Sequence, residues 1–504
     1  MNELELTDAL QRHFGHPAFR RGQQQAIEAA VAGRDVLLVM PTGAGKSLCY
    51  QLPAMIDDRL AVVVSPLVSL MTDQVESLGG RAELINAQRD GADNRLALER
   101  AIAGEVRMLY VAPERFATPG FVDRLAAAEV GLFVVDEAHC VSQWGHDFRP
   151  EYFRLGEVAR ALGARSVFAA TATATPRVAV DVARRLGLRE PVRITTGFDR
   201  PNLSYDVVPV ASARAKRDAT LALLSEPGAL PAIVYAGTRK KTDETASWLR
   251  RELGRPVPAY HAGMERGERA EAQRSFMAGE APVVVATNAF GMGVDKADVR
   301  TVLHEVVPSS LEAYYQEAGR GGRDGLASRC VLLAENRDKG LHVFFINQVD
   351  DPEARNHRWR QYREVWGFVE GDLCRRQAIL RHFGDRTLGS AEGRCCDVCD
   401  GGLAATAPRP VARSVAETAD IEGAIVAVVE GAAPAVGRTK TVEILRGGRS
   451  KALLKYSYDA LPGYGEFSEW RAEDVLAEVD ALIDTGRLRS TGGRYPTLRV
   501  ARAA

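Results

Sequence analysis

The run Pro41-Thr42-Gly43-Ala44-Gly45-Lys46-Ser47 follows directly on the apolar string VLLVM at 36–40 and leads into the helix-forming segment LCYQLPAMI. Glycines at 43 and 45, with Thr42 and Ala44 between and beside them, let backbone N–H groups wrap a polyphosphate. Lys46 brings an ammonium to the terminal phosphates, and the Ser47 hydroxyl suits Mg²⁺. The strict form of this loop has glycine where this chain has Met40, so it is a variant. A second apolar string, LFVVD at 132–136, delivers two adjacent carboxylates, Asp136 and Glu137, at the C-terminal end of a predicted strand. Open α/β sheets place their ligands there. Paired with the glycine loop, Asp136 is expected to hold the Mg²⁺ shell and Glu137 to position or deprotonate an attacking water. A different chemistry is signalled by the cysteines. Cys49, Cys140 and Cys330 are scattered, whereas Cys374, Cys395, Cys396 and Cys399 gather in one short region. In a reducing compartment such a cluster reads as a metal site before it reads as disulfides.

These groups need elements to hold them. Short β-branched runs at 36–40, 61–65, 107–112, 132–136 and 166–171 alternate with helical stretches, and the pattern restarts at 232–236, 257–262, 283–287, 299–306 and 330–334. That alternation predicts two α/β domains, each built on a doubly wound parallel sheet, with a boundary near Phe198 to Pro209. From about 340 to 393 strands give way to charged, aromatic-bearing helical sequence that ends at the cysteines. An Ala/Pro-rich stretch at 401–420 lacks an apolar stripe and reads as a linker before a small terminal domain. The expected units are 1–200, 201–338 and 339–402, a linker at 403–420, and 421–504. A length of 504 residues fits three to four domains. The formal net charge is −1, so any nucleic-acid surface must come from local clusters of Arg and Lys. The N-terminus MNELELTDALQRHF lacks a basic-then-apolar signal pattern, and no stretch approaches the ~18 uninterrupted apolar residues of a membrane span. A cytoplasmic protein with no membrane partner is expected.

Asp136-Glu137-Ala138-His139, taken with the P-loop, resembles the box of a superfamily-two helicase. The next segment, Ser142-Gln143-Trp144-Gly145-His146-Asp147-Phe148-Arg149-Pro150, resembles the aromatic-rich loop of the RecQ family. The resemblance implies two RecA-like motor domains. In the first, Phe19-Arg20-Arg21-Gly22-Gln23-Gln24 matches the motif in which the glutamine, here Gln23, reads the adenine edge while neighbours such as Arg20 brace the base. Ser65 to Gln74 looks like a strand-tracking motif that contacts DNA phosphates, and Ala170 to Thr175 resembles the motif coupling hydrolysis to domain movement. Trp144 and Phe148 would stack on unpaired bases and Arg149 would meet a phosphate; the alternative is that both aromatics belong to the core. The second domain carries Tyr260-His261-Ala262-Gly263, the stretch from Ala286 to Lys296, and Gln316 to Gly325. By resemblance Arg323 is the arginine finger, with Arg320 and Gln316 near the phosphates or the hydrolytic water. The family more often has Ala at Gly322, a change expected to leave the arginines in place.

The cysteine region resembles the RecQ zinc-binding subdomain, in which four thiolates hold a structural, tetrahedral Zn²⁺. The commonest spacing would put a cysteine at Gly393. Here Cys395 adjoins Cys396, and the fourth ligand is either Cys395 or His382. The segment after 420 looks like the family's winged-helix domain. Arg438, Lys440, Arg446, Arg449, Lys451 and Lys455 stand against one acid, Glu443, which suits duplex phosphates, with a solvated face as the alternative. A wing turn contains Gly492-Gly493, and the nearby Tyr495 either wedges at a duplex junction or packs. With the chain stopping at Ala504, the extra helical domain at the end of many members is expected to be absent. The implied activity is ATP-dependent, 3′ to 5′ unwinding of DNA in repair and recombination by a nucleoid-associated monomer. Its cofactors would be ATP, Mg²⁺ and Zn²⁺, and its partners single-stranded and duplex DNA. An RNA-remodelling ATPase shares the motor fold, but Trp144, Phe148 and the cysteines point to the DNA family. A non-motor binding protein is disfavoured by intact Lys46, Glu137 and Arg323.

Overall fold

The apolar strings read as unbroken β-branched runs because their strands are buried on both faces, as parallel strands covered by helices must be. The computed structural model describes residues 3–145, 149–290, 296–403, 421–448, 450–468, 470, 472–491 and 496–501. In the first lobe seven parallel strands run in the order Ala82–Ile85, Met108–Val111, Leu60–Val64, Val130–Val135, Ser166–Thr171, Val36–Val39, Val192–Thr195. The P-loop strand and the carboxylate strand are thus separated by one strand, Ser166–Thr171, and their C-terminal ends open on the same edge. The second lobe has six parallel strands in the order Ala259–Tyr260, Val283–Ala286, Ala232–Tyr235, Thr301–His304, Ser328–Ala334, Leu203–Pro209.

Three strands were not marked in the sequence. Val192–Thr195 and Ala82–Ile85 lie on sheet edges, where partial exposure interrupts the apolar pattern. Leu203–Pro209 falls within the segment read as a boundary. It carries Asp206, a fully buried carboxylate that breaks the apolar run and is held by the Arg394 guanidinium at 2.6 and 3.0 Å. Burial lifts the Asp206 pKa even so, Arg394 opposing the rise.

The cysteine-bearing subdomain follows the second sheet as helices Asn336–Asn347, Pro352–Glu370 and Arg375–His382. Its cysteine loop lies along the edge strand Leu203–Pro209. The Tyr205 N–H donates to Cys395 O at 3.0 Å and the Val207 N–H to Asp397 Oδ1 at 3.1 Å. Both lobes and this subdomain form one unit, Met1–Ala407, and the rest, Pro408–Ala504, forms a second. Of the predicted linker at 403–420, residues 404–420 lie outside the described residues. The second unit packs helices Ile421–Gly431, Arg438–Leu445 and Ala472–Asp484 around a core including Ile425, Val428, Leu445, Val475 and Val479. An antiparallel hairpin of Leu488–Ser490 with Leu498–Val500 supplies the wing, whose turn residues Gly492, Gly493 and Tyr495 lie outside the described residues. Arg438 pairs with Asp480, Lys440 with Glu443, and Arg446 donates to Trp470 O, so half of the predicted basic cluster has partners within its own domain. No helix among the described residues is long and apolar enough to cross a membrane.

One buried carboxylate knits the first sheet just where the P-loop strand begins. Asp35 accepts from Val167 N at 2.8 Å and Arg189 N at 2.6 Å, while its own carbonyl accepts from Val192 N. Removing both acceptors in Asp35→Ala strands the buried Val167 N–H and leaves the part-buried Arg189 N–H to solvent, at roughly 1–3 kcal/mol. Thermal unfolding should show a transition lowered by several degrees, and Asp35→Asn, which keeps one acceptor, should lose less. Wild-type melting of the alanine variant contradicts this account.

Candidate active site and zinc centre

Gly43 and Gly45 take φ of 82° and 84°, the left-handed region that only glycine enters cheaply. A Cβ on Gly45 would stand 2.5 Å from Gln23 Nε2. Gln23 is buried beneath the loop and donates to Gly45 O at 3.0 Å and Ala44 O at 3.3 Å, while its Oε1 accepts from Arg20 N at 2.8 Å. The Arg20 guanidinium donates to Gly43 O at 3.0 Å. Both predicted adenine-side residues therefore shape the phosphate loop. Lys46 Nζ lies 3.1 Å from Asp136 Oδ1 and 3.1 Å from Glu137 Oε1. Burial works against the charge on Lys46, but the two carboxylates outweigh it and raise its pKa. Burial also opposes charge on Glu137, yet Lys46 and His139 keep it ionised, below the ordinary carboxylate range. At Asp136 burial wins, and its pKa rises despite Lys46.

Glu137 itself has φ 48°, a strained setting for a side-chain-bearing residue, which turns its carboxylate out of the strand line. Glu137 Oε2 lies 3.3 Å from His139 Nδ1, and that nitrogen lies 2.9 Å from Thr171 Oγ1. The Glu137 carboxylate is thus linked through His139 to the Thr-rich segment at the end of the neighbouring strand. Tyr152, just past the aromatic-rich loop, donates its hydroxyl to Asp136 O at 3.3 Å.

The second lobe closes the site. Helix Leu311–Ala318 carries Gln316 and runs into the loop holding Arg320 and Arg323. A Cβ on Gly43 would lie 3.3 Å from Arg323 Cγ, so the Arg323 stem rests against the P-loop. Arg320 is buried and its guanidinium reaches the Tyr235 hydroxyl. Gly322 has φ 52°, and a Cβ there would lie 2.5 Å from Asn202 Nδ2 and 2.7 Å from Leu326 O. An alanine in this loop would therefore force it to shift. Sequence reasoning missed the group that holds the loop: Arg200 donates to Gly319 O, Gly321 O and Gly322 O at 3.2, 2.9 and 3.0 Å. It also reaches Thr42 O of the P-loop at 3.5 Å. A lone arginine in a predicted boundary carries no signal for this.

Trp144 is half-buried against the first-lobe core, with Arg177 Cζ 3.6 Å from its ring centroid and Arg360 Cζ at 5.0 Å. His357 meets its edge at a 5.7 Å centroid separation. Burial, with Arg360 adding, pushes the His357 pKa down to about 4. An open groove of about 640 Å³ lies here, lined by Trp144, Glu353, Asn356, Trp359, Arg360 and Arg363. Arg149 donates to Pro66 O at 3.4 Å, joining the aromatic loop to the predicted strand-tracking motif. Phe148 lies outside the described residues, as do Gly291 to Asp295 of the second-lobe motif. Arg177, Trp359 and Arg360 were missed because each stands far along the chain from Trp144.

The four cysteine sulfurs all lie within 4.8 Å of one another, with Cys374 Sγ 3.6 Å from Cys395 Sγ and 3.9 Å from Cys396 Sγ. Tetrahedral zinc with Zn–S bonds of about 2.3 Å requires S···S separations of about 3.8 Å, so the four thiols fit. His382 is engaged elsewhere: its Nε2 lies 2.9 Å from Glu312 Oε1. Gly393, where a cysteine was expected, has φ 106°. That backbone suits glycine and disfavours a ligand-bearing side chain. At the nucleotide site, Ser47 and Asp136 offer only oxygen, which suits a hard cation, and the buried Asp136 carboxylate gains from one.

Paired parallel-sheet lobes, with a P-loop and adjoining carboxylates on one and arginines facing them from the other, define a two-lobed ATPase motor of the helicase kind. Models of four families match in order: DEAD/DEAH box helicase at 20–182, helicase conserved C-terminal domain at 215–325, RecQ zinc-binding at 336–400 and RQC domain at 417–504. The chain is 35% identical over 497 residues to the ATP-dependent DNA helicase RecQ of Bacillus subtilis (strain 168), covering 98% of this chain and 81% of that protein. It is 34% identical over 496 residues to the RecQ of Haemophilus influenzae, covering 97% and 77%. Among solved structures, the DEAD-box helicase Mss116 bound to ssRNA aligns with TM-score 0.55 at 19% identity, covering 72% of this chain and 81% of that one. The DUF1998 helicase MrfA bound to DNA aligns with TM-score 0.55 at 18%, covering 67% and 51%. At these identities the structural likeness shows the fold alone. The chain belongs to the RecQ family of ATP-dependent DNA helicases, with zinc, ATP and Mg²⁺ as its cofactors.

Elemental analysis of the purified protein should find about one zinc per chain. Cys396→Ser, at a fully buried ligand, should lose the metal and melt earlier, whereas His382→Ala should keep it. Zinc lost from the His382 variant while Cys395→Ser retains it would overturn the four-cysteine assignment.

Proposed function

We propose that this chain couples ATP hydrolysis to 3′ to 5′ movement along single-stranded DNA, unwinding duplexes in repair and recombination. The observation that carries the proposal is the meeting of Lys46, Asp136 and Glu137 with the Arg320–Arg323 loop across one interlobe cleft. Lys46 binds the terminal phosphates, Gln23 and Arg20 hold the loop that wraps them, and Ser47 and Asp136 hold Mg²⁺. The ion, when bound, neutralises phosphate charge. Glu137, kept ionised by its neighbours, orients and accepts a proton from the attacking water. Arg323, helped by Arg320 and Gln316, stabilises charge gathering on the γ-phosphoryl oxygens. Both halves of the site come from one chain, which supports a working monomer. Action on DNA places the protein with the nucleoid in the cytoplasm.

DNA enters the cycle at the aromatic loop. Trp144 and Phe148 stack bases, Arg149 meets a phosphate, and the Trp359-Arg360-Arg363 groove continues the path. The loop returns to the carboxylates through two short links: Arg149 N to Cys140 O at 3.1 Å and Tyr152 to Asp136 O. The winged-helix unit engages the duplex.

Lys46→Ala and Glu137→Gln should each abolish DNA-stimulated ATP hydrolysis and unwinding while the protein still melts as the wild type does. Near-normal turnover in either folded variant removes the assigned site. Stacking on one aromatic is worth about 1–3 kcal/mol, so Trp144→Ala should depress stimulation by single-stranded DNA roughly 5- to 160-fold and spare basal turnover. A stable Trp144→Ala protein with full stimulation and unwinding sinks the proposal that the aromatic loop couples DNA binding to hydrolysis.

A further inference from the structure

Between the two lobes lies a short segment, Phe198 to Leu203, that touches the P-loop, the finger loop and helix, and the zinc-side helix. The finger loop that follows helix Leu311–Ala318 is rich in glycine, so much of its backbone is held by side chains from elsewhere, Arg200 foremost. The planar fork of Arg200 spreads over three carbonyls of Gly319, Gly321 and Gly322 while one nitrogen also faces Thr42 O. Asn202 adds bonds to Gly322 O at 2.8 Å and Leu326 O at 3.0 Å. Arg200 is itself fixed from the zinc side. Arg376, only 2% exposed, donates to Asp199 Oδ1 at 2.6 Å, to Arg200 O at 2.8 Å and to Leu203 O. Its guanidinium also reaches the Cys395 thiol, and it stands two residues after Cys374.

A second tie runs in parallel. His382, ending the same helix as Arg376, pairs with Glu312 at the start of the finger helix. Phe383 stacks on Phe198 at 4.4 Å, and the Tyr315 hydroxyl of the finger helix donates to Phe198 O at 3.0 Å. The zinc-binding helix therefore grips both ends of the element that presents Arg320 and Arg323.

We propose that Arg200 is the positioning residue for the arginine finger, and that Arg376 makes the zinc subdomain part of the ATPase by fixing Arg200. The inference rests on the reading of Arg323 as the finger. Misplacing a transition-state group by about 1 Å costs on the order of 10²-fold in rate while ground-state binding of the nucleotide survives. Lysine cannot substitute, because one ammonium does not reproduce a planar fork.

The test uses the full chain with its zinc. For Arg200→Ala, Arg200→Lys, Arg323→Ala and the double variant Arg200→Ala/Arg323→Ala, DNA-stimulated kcat and KM are measured beside the Kd of a fluorescent ATP analogue, zinc content and melting. Expected are an about 10²-fold loss of kcat in both Arg200 variants, analogue Kd within about 3-fold of wild type, and one zinc retained. The double variant should be no slower than Arg323→Ala alone, since residues acting as one unit are not additive. Arg376→Lys should keep zinc, lose kcat and likewise add nothing to Arg200→Ala. Full kcat in Arg323→Ala overturns the finger reading itself. With Arg323 essential, wild-type kcat in Arg200→Ala, full rescue by lysine, or losses that multiply in the double variant overturn the positioning role. Should Arg200→Ala not fold, Arg200→Gln, which keeps a single donor group, carries the same cycle with the same outcomes.

Discussion

Two carboxylates, Asp136 and Glu137, are buried at the C-terminal edge of the first sheet with the Lys46 ammonium between them, and the rest of the motor is arranged around that buried charge cluster. Lys46 lies 3.1 Å from each carboxylate, and His139 stands 3.3 Å from Glu137. Burial penalises each charge, so the set is tolerable only when strands, loop and neighbours hold it in register. That requirement explains the hydrogen bonds converging from outside: Tyr152 on the Asp136 carbonyl, His139 between Glu137 and Thr171, and Gln23 under the loop that carries Lys46. It also explains why the site takes a divalent cation with its phosphates, and why the polyanion so assembled calls for arginines from the second lobe.

Those arginines arrive on a loop with three glycines, Gly319, Gly321 and Gly322, which bring no side chains to hold it. Its buried carbonyls are instead satisfied by donors from elsewhere. Guanidinium groups serve throughout this molecule: Arg200 on the finger loop, Arg376 on the segment before the edge strand, Arg375 on Phe368 O and Gly371 O, and Arg394 on Asp206. Each donates to several acceptors in one plane, which an ammonium cannot do. The zinc subdomain adjoins the second sheet by the same means, with backbone pairing of Tyr205 to Cys395 alongside. A cysteine cluster far from the P-loop in sequence thereby belongs to the same compact unit as the Arg320–Arg323 loop.

What was legible in the sequence follows from distance along the chain. The P-loop, the Asp136-Glu137 pair and the cysteine cluster are contiguous, and their chemistry depends on spacing that a sequence displays. The strands buried on both faces were legible for the same reason. Edge strands such as Val192–Thr195 were not, because half-exposure dilutes the pattern, and Leu203–Pro209 was hidden by a buried Asp206 whose partner lies 188 residues later. Arg200 and the Arg177–Trp144–Arg360 stack are products of folding alone. The fourth zinc ligand was open in the sequence between Cys395 and His382. The folded chain favours Cys395, whose sulfur lies 3.6 Å from that of Cys374, while Glu312 occupies the imidazole.

The strained turn at Glu137 shows how these parts bear on one another. A residue held at φ 48° costs on the order of 1–3 kcal/mol and persists only where surroundings over-determine it. Here the surroundings are Lys46 on one side and His139 on the other, and the chain leaving that turn becomes the aromatic loop within a few residues. Anything that moves the loop pulls on Cys140 O through Arg149 and on Asp136 O through Tyr152. A strained carboxylate held between Lys46 and His139 needs only a small shift to change its alignment. No long relay is required on this side of the cleft: the aromatic loop starts at Ser142, a few residues after Glu137.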